Sequence, residues 1–399
     1  MRILHVIGSL DPADGGPPEA VRQLARAYAS VGVSIEVLCQ DEPDQPFLKT
    51  LNFPVHALGQ RLLGRFGLSI RLWTWLHRNA AQYDAIVLNG IWIFPNVAVR
   101  SAARRAGRPY AVFPHGGLDP WFNRKYPLKH LKKLLYWPYQ YPVLRDARAV
   151  FFTTAAERDL AATSFRPNHW NGTPVPYGIS DPEGDPAAQI EAFHGKLPAL
   201  RNRRYLLYLA RLHEKKGCDL LLQAFSAIAS AYPDVDLVMA GPDQVGLQAK
   251  LQRMAQDLGV GSRVHWPGML SGDIKWGALR AAEVFVLPSH QENFGISVVE
   301  SLVAGRPVLI SNQVNIWPQI EKDQAGLVDD DTPAGTERLL RRWLALSTTE
   351  QEAMASSAYP CFERNYSIKE TAALIRQLFS NQEAALAAIV PFAPPTPDR

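Results

Sequence analysis

Short apolar runs alternate with amphipathic stretches along most of the chain, which indicates alternating strands and helices. In the first half the runs predicted to be strands are Arg2–Ile7, Ser34–Cys39, Ala85–Asn89, Tyr110–Pro114 and Ala149–Thr153. In the second half they are Tyr205–Leu209, Val235–Ala240, Arg263–Trp266, Val284–Pro288 and Pro307–Ser311. The stretches between them, such as Pro17–Val31, carry apolar residues at helical spacing. This alternation predicts an α/β fold in which helices cover both faces of parallel sheets.

A polar, turn-rich segment at residues 181–186, Asp-Pro-Glu-Gly-Asp-Pro, divides the chain near its middle. We expect one domain at residues 1–185 and a second at 200–365, which look like two copies of one architecture. A final helix is expected over 366–385, followed by a loose tail at 386–399. Residues 1–185 carry 21 Lys/Arg and 15 Asp/Glu, so the basic character lies in the first domain.

Composition and charge argue against a nucleic-acid-binding, membrane-spanning or secreted protein. The 42 basic and 38 acidic side chains give a net charge of +4, too small to indicate a nucleic-acid binder. No apolar run is long enough to span a bilayer, and the first residues read as a strand rather than a signal peptide. The three cysteines, Cys39, Cys218 and Cys361, are far apart, which fits a reducing compartment. We therefore expect a cytoplasmic protein.

The densest candidate site is Pro-Ser-His-Gln-Glu-Asn-Phe-Gly-Ile-Ser-Val-Val-Glu at residues 288–300, followed by Ala-Gly-Arg-Pro-Val. A buried strand is predicted to end at Pro288 and a helix to begin near Phe294. Ligands of doubly wound sheets bind at the carboxyl ends of strands, where helix N-termini offer N–H groups. Glu292 in the loop can accept hydrogen bonds from sugar hydroxyls. Glu300, about two turns into the helix, can reach a pair of ribose hydroxyls.

A second group of polar residues follows the first strand of the second half, in the motif Leu209–Gly217. Cations at the carboxyl end of a parallel strand are well placed to neutralise a diphosphate leaving group. In the first half, Gly15 and Gly16 follow the first strand, but no G-x-G-x-x-G dinucleotide motif is present. A further loop at another strand end contains His115, Gly116, Gly117, Asp119 and Trp121. Its glycines leave room for a sugar ring, and its tryptophan can stack on one.

The carboxylates at 292 and 300, within Pro-Ser-x-x-Glu-x-Phe-Gly-x-x-x-x-Glu, resemble the signature of family-4 retaining glycosyltransferases of the GT-B fold. The resemblance extends from residue 1 to about 380. It implies two Rossmann-like domains that face each other across a cleft, with the last helix crossing back to the first domain. It also implies transfer of a hexosyl unit from a UDP- or GDP-linked sugar to a hydroxyl acceptor, with retention of configuration. Neither a metal nor a cofactor is expected, because cationic side chains neutralise the leaving group.

The same resemblance assigns roles to individual residues. Glu292 contacts the donor sugar, Glu300 contacts the ribose, and Arg211 and Lys216 stabilise the departing diphosphate. The predicted catalytic residues are His115, Arg211, Lys216 and Glu292. The predicted donor-binding residues are Gly16, Gly268, Met269, Leu270, Asn293, Phe294, Gly295 and Glu300. The predicted acceptor-binding residues are Gly15, Gly116, Asp119 and Trp121.

Two departures from the family pattern accompany these roles. Ala210 stands where glycine is more common, and residues 311–317, Ser-Asn-Gln-Val-Asn-Ile-Trp, replace a glycine-rich stretch. The second departure makes the transfer of roles from better-known members less direct in this region.

A basic amphipathic segment at residues 121–141 bears on the acceptor. It combines Leu128, Leu131 and Leu135 with Lys129, Lys132 and Lys133. Such a helix can lie on an anionic membrane, and residues 59–79 have a similar composition. The alternative is that both helices bury their apolar faces in the first domain. If these helices contact a membrane, the expected acceptor is a lipid-linked glycan at the inner leaflet, as in bacterial surface-polysaccharide assembly.

Two other functions remain open at the level of sequence. One is a different GT-B activity, such as a nucleotide-sugar epimerase, against which the spacing of Glu292 and Glu300 argues. The other is a catalytically silent subunit that binds nucleotide or carbohydrate. The presence of Arg211 and Lys216 together with both glutamates argues against that alternative.

Overall fold

A computed structural model describes residues 1–59, 62–120, 123 and 127–380 of the chain. The predicted acceptor residue Trp121 lies outside these residues, as do the predicted tail at 386–399 and the predicted helix beyond Ser380. Within them the chain forms two units. The first comprises Met1–Gly178 together with the chain from Ile368, and the second comprises Ile179–Ser367.

The first unit contains a seven-stranded sheet in the order β3-β2-β1-β4-β5-β6-β7, with every pair parallel. Its strands are β1 (Arg2–Ile7), β2 (Ser34–Cys39), β3 (Val55–Ala57), β4 (Ala85–Asn89), β5 (Tyr110–Phe113), β6 (Ala149–Phe152) and β7 (Gly172–Pro174). Its helices are α1 (Gly16–Tyr28), α2 (Ile70–Asn79), α3 (Phe94–Ala106), α4 (Pro127–Arg145), α5 (Ala155–Ala161) and, at the end of the described chain, α14 (Ile368–Ser380).

The second unit contains a six-stranded parallel sheet in the order β10-β9-β8-β11-β12-β13. Its strands are β8 (Arg204–Leu209), β9 (Val235–Ala240), β10 (Val264–Gly268), β11 (Val284–Leu287), β12 (Val308–Ser311) and β13 (Gly326–Asp329). Its helices are α6 (Pro186–Lys196), α7 (Cys218–Ala229), α8 (Gln248–Asp257), α9 (Gly272–Ala281), α10 (Ile296–Val303), α11 (Trp317–Lys322), α12 (Pro333–Leu344) and α13 (Thr348–Tyr366).

Each sheet reverses its strand order beside its first strand. In the first unit β1 lies between β2 and β4, and in the second β8 lies between β9 and β11. Chain connections leave the two neighbouring strands in opposite directions at such a point, which opens a crevice at their carboxyl ends. The loops that follow β8 and β11 therefore meet at the natural ligand site of the second sheet.

The predicted α/β architecture with two parallel sheets is confirmed, and the central strands coincide with the apolar runs. All four residues of β11 are fully buried, as expected for a strand with helices on both faces. Three short strands, β3, β7 and β13, were missed. They lie at the sheet edges and most of their residues are only partly buried, so they lack the continuous apolar run that identifies a buried strand.

The two basic amphipathic segments differ in how they pack. In α2, Leu72 and Leu76 are fully buried in the core of the first unit. In α4, by contrast, Leu128 is 83% exposed and Leu135 is 74% exposed. Burial in the core therefore accounts for Leu72 and Leu76 of α2 but not for the leucines of α4. None of the helices in the described part of the chain combines the length and apolar character that crossing a bilayer requires.

Candidate functional site

The loops after β8 and β11 are tied together by hydrogen bonds to one carbonyl group. The Lys215 carbonyl oxygen accepts from the Ser289 hydroxyl and from the His290 N–H, each at 2.9 Å. Ser289 is fully buried, and its own carbonyl oxygen accepts from the Ser311 hydroxyl at 2.5 Å. The serine of the sequence motif is thus a structural residue that fixes the spacing between the two loops.

Gly217 allows this close approach. Its φ of +66° lies in the left-handed region, and a Cβ atom at this position would collide with the carbonyl oxygen of Pro288 at the end of β11. The 3₁₀ turn Glu214–Lys216 precedes the glycine, with the Lys216 N–H donating to the His213 carbonyl oxygen at 2.8 Å. This turn directs Lys216 toward the β11 loop.

Lys216 and Glu292 form a direct ion pair between the two loops. The exposed fractions of their side chains are only 12% and 18%. Burial, together with the cations of Lys215 and Arg211, lowers the pKa of the Lys216 ammonium to about 7. Contact with the Glu292 carboxylate opposes this effect, because an adjacent opposite charge favours the ammonium form. Burial thus disfavours the charged form of Lys216, and the adjacent Glu292 carboxylate favours it.

The backbone of Glu292 is held by the segment that departs from the family pattern. The Glu292 N–H donates to the Gln313 carbonyl oxygen, and the Asn315 N–H donates to the Glu292 carbonyl oxygen, both at 3.0 Å. Glu292 and Val314 consequently form a short parallel bridge. Backbone hydrogen bonds from the segment 311–317 thus fix the position of the loop that contains Glu292.

Arg211 completes the positive charge beside Lys216. Its side chain is exposed, and one terminal nitrogen donates to the Gln244 side-chain oxygen at 3.3 Å. The Arg211 carbonyl oxygen accepts from the Tyr208 hydroxyl at 3.0 Å, which fixes the start of the loop. An exposed guanidinium beside a buried ammonium can contact an anion that arrives from solvent.

Helix α10 begins directly after the Glu292 loop. Gly295 is its N-cap with a φ of +79°, and the Asn293 side-chain oxygen accepts from the Asn315 amide at 3.4 Å. The Phe294 ring is buried against Tyr366, so any contact of this residue with a ligand is through its backbone. The first turn of a helix has N–H groups without intrahelical partners, which suits anionic oxygen atoms.

Glu300, in the second turn of α10, is paired with a residue that the sequence analysis missed. The Lys275 ammonium on α9 donates to Glu300 Oε1 at 2.6 Å. In the loop after β10, Leu270 is buried whereas Met269 is 70% exposed. Gly268, the last residue of β10, accepts from the Gly241 N–H at 2.9 Å through its carbonyl oxygen. In this loop the Met269 side chain is open to a ligand, whereas that of Leu270 is not.

In the first unit His115 has an unusual environment. Its φ of +50° is left-handed, and its ring packs against both Phe113 and Tyr177, with centroids 5.5 Å from each. Neither ring nitrogen has a hydrogen-bond partner among the described residues. Burial lowers the pKa of His115 to about 3, so the ring is neutral at physiological pH. A neutral imidazole can donate one hydrogen bond and accept another.

Glu157 holds the turn that contains His115, and sequence analysis did not identify it. Its buried carboxylate accepts from the Gly116 N–H at 3.0 Å and from the Thr153 N–H and hydroxyl at 2.7 Å. Nothing in its sequence position signals this role, since Glu157 lies in the first turn of α5 like many surface glutamates. Only the proximity of the ends of β5 and β6 brings it to the turn.

The remaining predicted residues of the first unit also lie at the carboxyl edge of its sheet. Gly15 is the N-cap of α1 with a φ of +85°, and Gly16 is the first residue of that helix. Asp119 is buried, and its N–H donates to the Gly116 carbonyl oxygen at 3.1 Å. The structure thus brings together Lys216, Glu292 and Arg211 in one unit, and His115, Gly116 and Asp119 in the other. The ligand roles of all these residues stay predictions.

In the described ranges, no cluster of three or more His, Cys, Asp or Glu side chains is arranged to hold a metal ion. The polar groups at the carboxyl edge of the second sheet are instead cations and carboxylates in contact with each other. Such an arrangement can bind an anionic group through Lys216 and Arg211 and neutral hydroxyl groups through the carboxylates.

Two family profiles match the chain, one on each half. Residues 15–178 match the profile described as glycosyl transferase 4-like domain. Residues 189–359 match the profile described as glycosyl transferases group 1. The second match contains the loops of Lys216 and Glu292, and the first contains the His115 turn.

Similar proteins and similar solved structures match most of the length of this chain. The D-rhamnosyltransferase WbpZ of Pseudomonas aeruginosa is 27% identical over 374 residues, which cover 90% of each chain. The mannosylfructose-phosphate synthase of Agrobacterium fabrum is 23% identical, over 79% of this chain and 75% of that protein. The crystal structure of Anabaena HepE in complex with UDP and glucose is similar with a TM-score of 0.75 and 19% identity, and covers 95% of this chain and 99% of that chain.

The ion pair predicts a particular dependence of stability on pH in the variant Glu292→Gln. Burial and the neighbouring cations lower the pKa of Lys216 in the folded state to about 7 from its ordinary value of 10.5, and the variant loses the carboxylate that opposes this shift. The unfolded chain then binds more protons between these values, so the free energy of unfolding rises as the pH rises from about 7 toward 10.5. The expected slope is at most about 1.4 kcal/mol per pH unit, measured by chemical denaturation.

The control for this measurement is the double variant Lys216→Met, Glu292→Gln, which has no amine to titrate. Its stability should lack the rise seen in Glu292→Gln, and the wild type should show a shallower rise because its carboxylate favours the ammonium form. Parallel curves for the single and double variants would show that Lys216 does not titrate in this range.

Proposed function

The chain belongs to the family-4 glycosyltransferases of the GT-B fold, and we propose that it is a retaining enzyme that moves a hexosyl unit from a UDP- or GDP-linked sugar to a hydroxyl group of a sugar acceptor. In this proposal the second unit binds the nucleotide sugar and the first binds the acceptor. The acceptor is a lipid-linked glycan in the assembly of a bacterial surface polysaccharide.

The contact between Lys216 and Glu292 is the main support for the proposal that the donor is a nucleotide-diphosphate sugar. A diphosphate requires cations, and a hexose requires a carboxylate that accepts hydrogen bonds from its hydroxyl groups. The switch point of the second sheet supplies both within one hydrogen bond of each other, with Arg211 beside them. HepE, a similar protein, has been solved with UDP and glucose, which favours UDP among the candidate bases.

The proposed reaction takes place on one face of the sugar. The acceptor oxygen forms a bond to the anomeric carbon on the face from which the nucleoside diphosphate leaves, as the bond from that carbon to the phosphate oxygen breaks. The acceptor proton passes to the departing phosphate oxygen, so no side chain is needed as a general base. Lys216 and Arg211 stabilise the negative charge that develops on the diphosphate, which is the main contribution of the protein to the rate.

A donor diphosphate also competes with Glu292 for the Lys216 ammonium. In the absence of ligand the pair satisfies two charges that would otherwise be poorly solvated. When the phosphate binds Lys216, the Glu292 carboxylate becomes available to the hydroxyl groups of the donor sugar. The pair therefore couples binding of the diphosphate to preparation of the sugar site.

His115 is proposed to act as a neutral hydrogen-bond partner of a sugar hydroxyl. Its lowered pKa excludes a cationic role at physiological pH, and its two unpartnered nitrogens provide one donor and one acceptor. Glu157 holds the turn, so that His115 keeps its left-handed backbone conformation. We retain the acceptor roles of Gly116 and Asp119, which belong to the same turn.

The exposed leucines of α4 support the proposal of a membrane-bound acceptor. Leu128, Leu131 and Leu135 are exposed, and Lys132 between them is exposed as well. The turn that carries exposed Leu62 and Leu63 lies beside this helix, because Phe66 packs edge-on against Tyr136 at 5.1 Å. Apolar side chains flanked by lysine are typical of a surface that enters the interface of an anionic membrane. The Lys133 ammonium, in contrast, lies over the Trp92 ring at 5.3 Å.

The variant Arg211→Ala tests the donor site without disturbing the fold. Because this side chain is exposed, we expect the free energy of unfolding to change by no more than about 0.5 kcal/mol. Loss of one cation from the leaving group should reduce the rate of transfer by about 10²–10³. The measurement is release of nucleoside diphosphate and formation of the glycoside from UDP- and GDP-hexoses, in the presence of a chelator.

The matched control is Arg253→Ala on α8, another exposed arginine of the second unit, which should retain wild-type transfer. Wild-type transfer by Arg211→Ala would contradict the assignment of the diphosphate site. Conversion of the donor into an epimer, or binding of the donor with no transfer to any glycan, would instead support one of the two alternative functions.

The proposal of membrane contact predicts the behaviour of the variant in which Leu128, Leu131 and Leu135 are all replaced by glutamine. The wild type should co-sediment with vesicles of phosphatidylcholine and phosphatidylglycerol, and the variant should remain in the supernatant, because it has lost the apolar side chains that enter the interface. The control replaces two exposed apolar residues of the second unit, Val245 and Leu258, by glutamine. Equal binding by the wild type and the leucine variant would contradict membrane contact through this helix.

A further inference from the structure

Lys275 occupies a position in the donor site to which neither the motifs nor the proposed mechanism assigned a residue. It lies in the first turn of α9, which begins directly after the loop that follows β10. Its ammonium donates to Glu300 Oε1 at 2.6 Å, and Glu300 lies on α10, 25 residues further along the chain. The pair thus connects the loop expected to contact the base with the carboxylate expected to contact the ribose.

The surroundings of the pair favour a fixed geometry. The exposed fractions of the Lys275 and Glu300 side chains are 22% and 14%, so the ion pair is largely shielded from water. The ammonium also lies 4.7 Å from the centre of the Trp276 ring, which adds a cation–π contact. A shielded, charge-assisted hydrogen bond of this length holds a carboxylate in one orientation.

The helix that carries Lys275 is itself held in place. The side chain of Gln189 on α6 is buried and donates to Asp273 at 3.1 Å, while its oxygen accepts from Arg280 at 2.9 Å. Gly277 allows the backbone of α6 to approach α9, since a Cβ atom there would collide with the Gln189 carbonyl oxygen. Lys275 therefore projects from a rigid element, which is what accurate placement of a neighbouring side chain requires.

We propose that Lys275 is a positioning residue for the ribose of the donor. By engaging Glu300 Oε1, it leaves Oε2 as the oxygen that accepts from the vicinal 2′- and 3′-hydroxyl groups. This inference rests on the proposed function, because it takes Glu300 as the residue that contacts the ribose. It adds a residue on a second helix whose effect is specific to the sugar of the nucleotide rather than to its phosphates.

The test compares the affinities of the full-length wild type and of Lys275→Met for UDP and for 2′-deoxy-UDP, and likewise for GDP and 2′-deoxy-GDP, by calorimetric titration. Loss of a hydrogen bond to a charged group corresponds to a factor of about 10–100 in affinity, so the wild type should prefer the ribonucleotide by about that factor. In Lys275→Met this preference should fall to less than about threefold, while the affinity for the deoxynucleotide changes little. In the transfer reaction KM for the donor should rise and kcat should remain near the wild-type value.

Three further variants make the outcome specific. Lys250→Met on α8 removes an exposed lysine of the same unit and should leave the preference unchanged. Lys275→Arg should restore part of the preference, and Glu300→Gln should abolish it to the same extent as Lys275→Met. Lys275→Gln replaces the methionine variant if the latter does not fold.

The possible results distinguish failure of this inference from failure of the proposed function. Equal weakening of both nucleotides by Lys275→Met would indicate a purely structural role and overturn the inference, and so would an unchanged preference for the ribonucleotide. In both cases the proposed function would stand, because the wild type still binds the nucleotide. If the wild type binds none of the four nucleotides, the proposed function fails and the inference fails with it.

Discussion

The contact between the Lys216 ammonium and the Glu292 carboxylate is the interaction on which the candidate site depends. Parallel pairing of β8 with β11 brings the two loops to one point, Gly217 lets their backbones approach, and Ser289 fixes their spacing. Burial works against the charge of the lysine, and the carboxylate maintains it. The site thus holds a cation that is poorly hydrated, which makes it more effective toward a phosphate than a lysine on the surface.

The first unit presents a different kind of chemistry. His115 is neutral, its nitrogens lack partners among the described residues, and Glu157 stabilises the turn that contains it. Such a group recognises hydroxyl groups rather than phosphates. Charged side chains in contact therefore characterise the candidate site of the second unit, while a neutral imidazole and exposed leucines characterise the first. This division agrees with an enzyme that takes an anionic nucleotide sugar and a glycan acceptor.

Much of the fold could be predicted from sequence because its central strands are continuous apolar runs, as in Val284–Leu287. The edge strands β3, β7 and β13 could not, since partly buried residues leave no such run. Glu292 and Lys216 were identified from the motifs that contain them. Their mutual contact was not, because it joins residues 76 positions apart and depends on which strands are neighbours. The same holds for Lys275 with Glu300 and for Glu157 with the His115 turn, whose partners meet only through tertiary structure.

The measurement that tests the central claim most directly is thermal unfolding with a panel of nucleoside diphosphates, in the presence of a chelator. It is made on the wild type and on the variant in which both Arg211 and Lys216 are replaced by methionine. The account predicts that UDP or GDP raises the melting temperature of the wild type, by an amount that corresponds to about 2.7 kcal/mol at a hundred times the dissociation constant. The double variant should show no such increase. An equal increase in both proteins, or none in the wild type with any diphosphate, would contradict the claim that these cations form the donor site.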